Sequence, residues 1–377
     1  MQTRQRKTTL LFSLLTLCLA MTLLSGCGRD PYDNPIANNS DQPDKILFDK
    51  SINEIEKHRY EIGRITLQTL INTYPDSEYI AKSKLAIADS WYREGTSHAL
   101  AQAEAEYRDF ITFFPTMEEA AESQMKICQI HYDQMQKSDR DNTHALKADN
   151  ECRQLLVQFP NSVFVDETKQ MLRDVQEVIA DAEFRVGTFY TFKGSYRAGA
   201  NRLQTVTDHY PLYSRSDEAL WTLGNTYEQM GQPFTEQSMQ AYGKLVRDYP
   251  LSPFVEQAKE KLVAADRPIP DTDADRYEIM KYNLSMRETQ GRMGKVFGIF
   301  SGAPNLRWAA KAGDPAMTAL MPTTPPGITP AGGAVQPSAE VTAETISGPS
   351  KLDTEPDARM NQGAGQTPPQ PAPQNPQ

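Results

Sequence analysis

Cys27 is the side chain whose surroundings most plainly call for chemistry. A basic start (Arg4, Arg6, Lys7) leads into an almost uncharged, leucine-rich run from Thr8 to Leu24. Two small residues, Ser25 and Gly26, stand directly before the thiol. A basic flank, a short apolar run and a small-residue cleavage site are the parts of an export signal. The run is about 17 residues, at the lower limit for spanning a bilayer. A Pro- and Asn-rich segment follows it, which favours removal over a retained membrane helix.

The tetrapeptide Leu24-Ser25-Gly26-Cys27 resembles a bacterial lipobox, cut before the cysteine; the alternative is an ordinary signal with a chance cysteine. The lipobox reading implies diacylglycerol on the Cys27 sulfur and an acyl chain on the new amino group. Each buried methylene contributes roughly 0.8 kcal/mol and one chain anchors only marginally, so several chains make a lasting anchor. Residue 28 is Gly rather than Asp, which resembles the pattern of lipoproteins sent on to the outer membrane. This covalent lipid is the one non-protein group expected; no cofactor is.

The remaining reactive side chains form no catalytic pattern. His58, His98, His131, His144 and His209 show no HExxH or other metal-ligand spacing, so no metal site is expected. Lys193 in "FKGS" lacks the GxxxxGK order of a phosphate loop, and no GxSxG elbow occurs. The acidic residues are scattered over solvated helical positions. The expectation is a protein without catalytic residues. Loss of residues 1–26 removes three basic residues and no acid, leaving 36 basic against 49 acidic, a formal charge of −13. Nucleic acid is therefore not the expected main partner, because phosphate binding needs a basic stripe.

The elements that position these residues are marked by a repeat. Tyr74-Pro75, Phe114-Pro115, Phe159-Pro160, Tyr210-Pro211 and Tyr249-Pro250 each end a helical pattern, with prolines 40, 45, 51 and 39 residues apart. Proline cannot continue a helix and restricts the residue before it, so these are five helix stops. Recurrence at this interval marks a stacked array. With Pro211 as position 32 of a tetratricopeptide (TPR)-like unit, Gly187 falls at 8, Tyr190 at 11, Gly194 at 15, Gly199 at 20 and Leu203 at 24. Small residues at 8 and 20 let two antiparallel helices approach; 11 and 24 supply bulk. The expected fold is all-α, a solenoid of about five helical hairpins over 44–265, after a signal (1–26) and a flexible tether (27–43).

In that register Cys128 and Cys152 both face the interior of the third hairpin. A bond between them would close a long loop and contribute something like 3–4 kcal/mol. Helix axes packed 8–10 Å apart favour two buried free thiols instead. The first helices of such an array line a concave groove suited to extended peptides. In the first repeat Phe48, Ile52 and Ile55 form an apolar stripe. The stripe either lines a groove for a peptide ending in an aromatic residue or widens the core. The equivalent residues near Pro211 are Phe184, Thr188 and Thr191. Residues 266–300 read as an amphipathic helix, either a cap on the last repeat or a surface for a partner or anionic lipid. Residues 301–377, rich in Pro, Ala, Gly and Thr, read as a disordered tail.

Together the lipobox, the five aromatic-proline stops, "SDRDNTHALKADNECRQLLVQFPNS" (138–162) and "FYTFKGSYRAGANRLQTVTDHYP" (189–211) resemble the BamD family, also called ComL or YfiO, over about residues 27–265. The resemblance implies a non-catalytic lipoprotein scaffold at the periplasmic side of the outer membrane. It further implies a BamA-type barrel insertase and unfolded outer-membrane protein precursors as partners. Cys27 matches the lipidated cysteine, and Arg202 in "NRL" matches a polar helix position that becomes a candidate partner contact. A secretin pilotin, or a positioning partner for a cell-wall enzyme, are the competing readings.

Overall fold

Ten helices pair as the proline spacing predicts in the computed structural model, which describes residues 42–287 and 302–318. The pairs are α1 (Pro43–Glu56) with α2 (Tyr60–Thr73), α3 (Ile80–Glu94) with α4 (Ser97–Phe113), α5 (Glu118–Asp133) with α6 (Thr143–Gln158), α7 (Val165–Phe192) with α8 (Tyr196–His209), and α9 (Ser216–Gln229) with α10 (Thr235–Asp248). Two further helices, α11 (Val255–Ala264) and α12 (Ala274–Ser285), follow, and no strand occurs among the described residues. The described residues all belong to one compact unit, Met1–Pro326; a second, Gly327–Gln377, lies outside them. Cys27 and its signal also lie outside the described residues.

Each aromatic-proline pair ends its helix in the same way. The N–H groups of Tyr74, Phe114, Phe159, Tyr210 and Tyr249 all donate to the carbonyl four residues back, at 2.8–3.0 Å. Their φ values lie between −127° and −131° and their ψ values between 54° and 68°, outside the helical basin, as the following proline requires. Each aromatic carbonyl then accepts from the residue three positions on (Ser77, Met117, Ser162, Tyr213, Ser252). This is a β-turn with proline at its second position, where its fixed φ is already suitable. The same turn thus links each hairpin to the next element.

Close helix approach is set by the small residues of the repeat. A Cβ on Gly199 would lie 3.0 Å from the carbonyl oxygen of Gly187, and one on Gly224 only 2.4 Å from the ring of Tyr242. Leu203 and Tyr242 are fully buried in the apolar cluster that runs through the last two hairpins with Val175, Phe184, Tyr210 and Leu245. Contacts run chiefly between helices adjacent in sequence, as in a solenoid whose hairpins cannot bury their faces alone.

Two expectations are corrected here. Cys128 on α5 and Cys152 on α6 form a disulfide, with Cα atoms 5.2 Å apart. Helix axes 8–10 Å apart do not keep facing residues apart, because each Cα sits about 2.3 Å off its own axis. Two residues aimed at each other across a hairpin therefore fall within disulfide range. The second correction concerns the expected tail. Residues 302–318 take up fixed contacts, with Ala309, Ala310 and Pro315 buried. Of the proposed 266–300 helix, residues 274–285 are helical, capped by Asp273, whose side chain accepts from the N–H of Arg276 at 3.1 Å. The helix lies over the last inter-hairpin turns: Asp273 N–H donates to the carbonyl of Arg247 at 3.0 Å, and Arg287 donates to that of Ser214 at 2.7 Å. None of its residues is fully buried, and residues 288–300 lie outside the described residues.

Candidate peptide-binding groove

α7 is twice the length of most helices in the stack, and its face between α5 and the start of α9 carries an unusual row of polar side chains. No proline or glycine interrupts it before Gly187, and Asp166 and Glu167 in its first turn favour the N-terminal end of the helix dipole. Met171, Leu172, Val175, Val178 and Ile179 hold its apolar side against the stack. What remains is Gln170, Arg173, Asp174, Gln176, Glu177 and Asp181, spaced three and four apart and hence on one surface.

These polar groups are anchored from both sides. Tyr132 of α5 donates to Asp174 at 2.9 Å, and Gln170 donates to the other oxygen at 2.8 Å. Glu177 accepts from the Ser214 N–H at 2.9 Å and also from its hydroxyl. Asp181 accepts from Tyr213 at 2.8 Å and from Ser138. Burial pushes the carboxyls of Asp174 and Glu177 upward, the latter to about 7 although the Ser214 bonds oppose the shift. Burial likewise lowers the Arg173 guanidinium. Such groups are costly to leave unpaired, so a partner with complementary hydrogen bonds is favoured here.

The partner present is main chain. Gln170 donates to the carbonyl of Ala310 at 3.2 Å, Arg173 to that of Gly313 at 2.9 Å, and Gln176 to that of Ala316 at 2.7 Å. Gln176 also accepts the Ala316 N–H at 3.1 Å. From the opposite side Asn283 of α12 accepts the N–H groups of Lys311 and Ala312, both at 2.9 Å, and donates to the Ala312 carbonyl at 3.2 Å. Two charge contacts flank this, Lys169 with Asp314 at 2.9 Å and Lys311 with Asp174 at 3.8 Å. The arrangement grips a turned and bent stretch of backbone by its amide groups. None of Gln170, Arg173, Gln176 or Asn283 stood out in the sequence, where polar residues on a helix read as solvated.

The residues singled out in the sequence fall elsewhere. Ile55 is 4 % exposed and belongs to the core with Leu67 and Ile87, so it is withdrawn from the groove. Phe48 is half-buried with its ring 5.2 Å from that of Tyr79, and Ile52 is half-buried. The stripe sits in the seam with the next hairpin, where a stack must bury each first helix. In the fourth repeat Phe184 is likewise buried, with Arg215 over its ring at 4.3 Å. Arg202 is about half exposed and paired with Glu183 at 2.8 Å.

Two surfaces went unnoticed in the sequence. One is a cleft of about 870 Å³ beside α2 and α4, lined by Tyr60, Ile62, Ile65, Trp91 and His98 among others. Arg64 lies 3.5 Å over Trp91 there and pairs with Glu94 at 2.8 Å. The other is the end of α7, where Phe189 and Phe192 are 55 % and 84 % exposed beside Lys193. Among the described residues, no cluster of three or more His, Cys, Asp or Glu is placed to hold a metal, and no helix is long and apolar enough to cross a membrane.

Known proteins resemble the chain across this stack. An outer membrane protein assembly factor BamD of Neisseria meningitidis serogroup A is 24% identical over 255 residues, covering 65% of this chain and 94% of that protein. BamD proteins of Xylella fastidiosa (23% over 229 residues, 58% and 76%) and Rickettsia prowazekii (24% over 228 residues, 59% and 85%) match similarly. Among solved structures, MamA covers 60% of this chain and 98% of its own at 13% identity and a TM-score of 0.24. The family pattern YfiO, described as outer membrane lipoprotein, matches residues 40–240, more than half of the chain and all five aromatic-proline turns but the last. The chain belongs to the YfiO family of outer membrane lipoproteins.

Proposed function

We propose that this chain is a non-catalytic scaffold of β-barrel assembly, held at the periplasmic face of the outer membrane by lipid on Cys27. In this role it binds a BamA-type insertase and unfolded outer-membrane protein precursors. The observation that carries the reading is the match of the family pattern along the stack, joined to relatives named as outer membrane protein assembly factors. The surface of the stack supports it: exposed apolar patches rimmed by polar residues are what partner binding uses.

The insertase contact is assigned to the end of α7 and the adjoining face of α8. Phe189, Phe192 and Lys193 form an exposed aromatic and cationic patch there, and Arg202 of α8 faces α7 close by, where a Cβ on Gly187 would lie 3.2 Å from its own. Aromatic and Arg side chains are the usual anchors of an interface. Precursor capture is assigned to the cleft beside α2 and α4, where the exposed Ile62 and Ile65 offer an apolar seat to an aromatic chain end.

Co-purification of the detergent-solubilised full chain with the insertase tests this. Wild-type protein recovers it, and Phe192→Ser with Arg202→Glu lowers recovery at least tenfold while helicity stays unchanged. Recovery of a secretin in its place, or of no barrel protein, contradicts the reading. Mass spectrometry of the mature amino terminus checks the anchor: an unacylated Cys27 would remove it.

A further inference from the structure

We propose that the groove between α7 and α12 is a main-chain-reading peptide site that this chain keeps occupied with its own residues 308–316, so that a peptide in trans able to adopt the same bent path binds only by displacing them. The proposal deepens the reading of the stack as a surface that grips other chains, and it concerns a different surface from the patch and cleft assigned above.

The hydrogen bonds carry it. Seven main-chain groups between Ala310 and Ala316 are satisfied by four side chains: Gln170, Arg173 and Gln176 of α7 and Asn283 of α12. Gln176 and Asn283 each use both ends of the amide, accepting an N–H and donating to a carbonyl. Neither α7 nor α12 shares a strand edge or a helix end with the segment, so no secondary structure explains these bonds. Side chains that satisfy main-chain donors and acceptors in this way hold a polypeptide by its backbone.

The side chains of the occupant add a second condition. Ala309 and Ala310 are buried at 4 % and 3 %, and a Cβ on Gly313 would lie 2.7 Å from Leu212 at a φ of +97°. The seat therefore accepts a peptide with small residues at two adjacent positions and glycine three residues after the second. Trp308 remains 48 % exposed. Beside it lies a cavity of about 280 Å³, bounded by Lys137, Asp181 and Arg185 on one side and by Pro304, Asn305 and Trp308 on the other.

Occupation in cis has a quantitative consequence. Only 14 residues separate Arg287 from Gly302. A ligand on so short a connection has an effective concentration on the order of 1 mM. If the isolated segment binds at about 0.1 mM, the same peptide in trans is weakened about tenfold by competition.

The test uses the full chain and a fluorescent synthetic peptide of residues 304–318. Ala310→Glu, which places a charge where the segment is buried, is expected to eject the segment and to bind the peptide about tenfold more tightly than wild type. Adding Arg173→Ala and Gln176→Ala is expected to weaken that binding at least tenfold, and a peptide carrying Gly313→Val is expected to bind at least tenfold more weakly. Should Ala310→Glu fail to fold by circular dichroism, Gly313→Val in the full chain ejects the segment from a more exposed position. Equal binding to wild type and ejected variants, binding indifferent to Arg173 and Gln176, or no binding at all would overturn the proposal. No insertase or precursor enters the assay, so such a failure leaves the proposed scaffold role standing.

Discussion

Gln176 holds Ala316 by both of its main-chain groups, donating to the carbonyl at 2.7 Å and accepting the N–H at 3.1 Å. Each such bond contributes a net of about 0.5–1.5 kcal/mol. Gln176→Leu keeps the volume and removes both. Hydrogen exchange at Ala316 should then speed roughly tenfold, while amides in α2 and α4 remain protected. Unchanged exchange would show that the amide does not hold the segment.

Glu177 makes stability depend on pH. Burial raises its folded-state value from 4.5 to about 7. A carboxyl raised in this way stabilises the fold fully below about pH 4.5, and the contribution is lost as pH rises through about 7. Denaturant titrations at pH 5 and pH 8 should show wild type losing on the order of 1–3 kcal/mol relative to Glu177→Gln across that interval. Asp149 and Asp174, also raised by burial, are common to both proteins and cancel in the comparison. Parallel curves would remove Glu177 as the source.

Two glycines in neighbouring helices should respond oppositely to alanine. In α10 a Cβ on Gly243 meets nothing nearer than Pro270 at 4.0 Å, so Gly243→Ala gains the helix-propensity difference of about 0.8–1.0 kcal/mol. In α9 a Cβ on Gly224 would lie 2.4 Å from the ring of Tyr242, which is fully buried and held by Asn225 at 2.8 Å. Overpacking costs about 1–3 kcal/mol and outweighs the same propensity gain. Denaturation midpoints should therefore rise for Gly243→Ala and fall for Gly224→Ala. Two changes of the same sign would contradict the packing described.

The Cys128–Cys152 bond closes a loop of sequence separation 24. Constraint of the unfolded chain over such a loop contributes about 3–4 kcal/mol. Mature protein unfolded in guanidinium without reductant should show no titratable thiol, since Cys27 is expected to be acylated. Cys128→Ala with Cys152→Ala should lower stability by several kcal/mol. Two free thiols would restore the expectation drawn from helix spacing.

Much of this fold was written in residues whose effect is local. Tyr74-Pro75 and its four counterparts stop a helix whatever surrounds them, so the ends of α2, α4, α6, α8 and α10 were legible before any packing was known. Gly187 and Gly199 were legible because close approach admits few other residues. The groove was not, because its chemistry depends on who faces whom. Gln170, Arg173 and Gln176 are ordinary helix-surface residues until the segment 140 positions later lies across them, and nothing in "WAAKAGDPA" announces that contact. The stripe of Phe48, Ile52 and Ile55 had the right period, but period alone does not say whether a face meets solvent or the next hairpin. Ile55 met the hairpin.

The most direct measurement is in-cell photo-crosslinking from position 192, where Phe192 stands exposed at the end of α7. A crosslinker installed there in the full-length lipoprotein should give one dominant adduct, with a BamA-type barrel insertase, and that adduct should weaken with Arg202→Glu. A dominant adduct with a secretin or a cell-wall enzyme, or no protein adduct at all, would contradict a scaffold of β-barrel assembly.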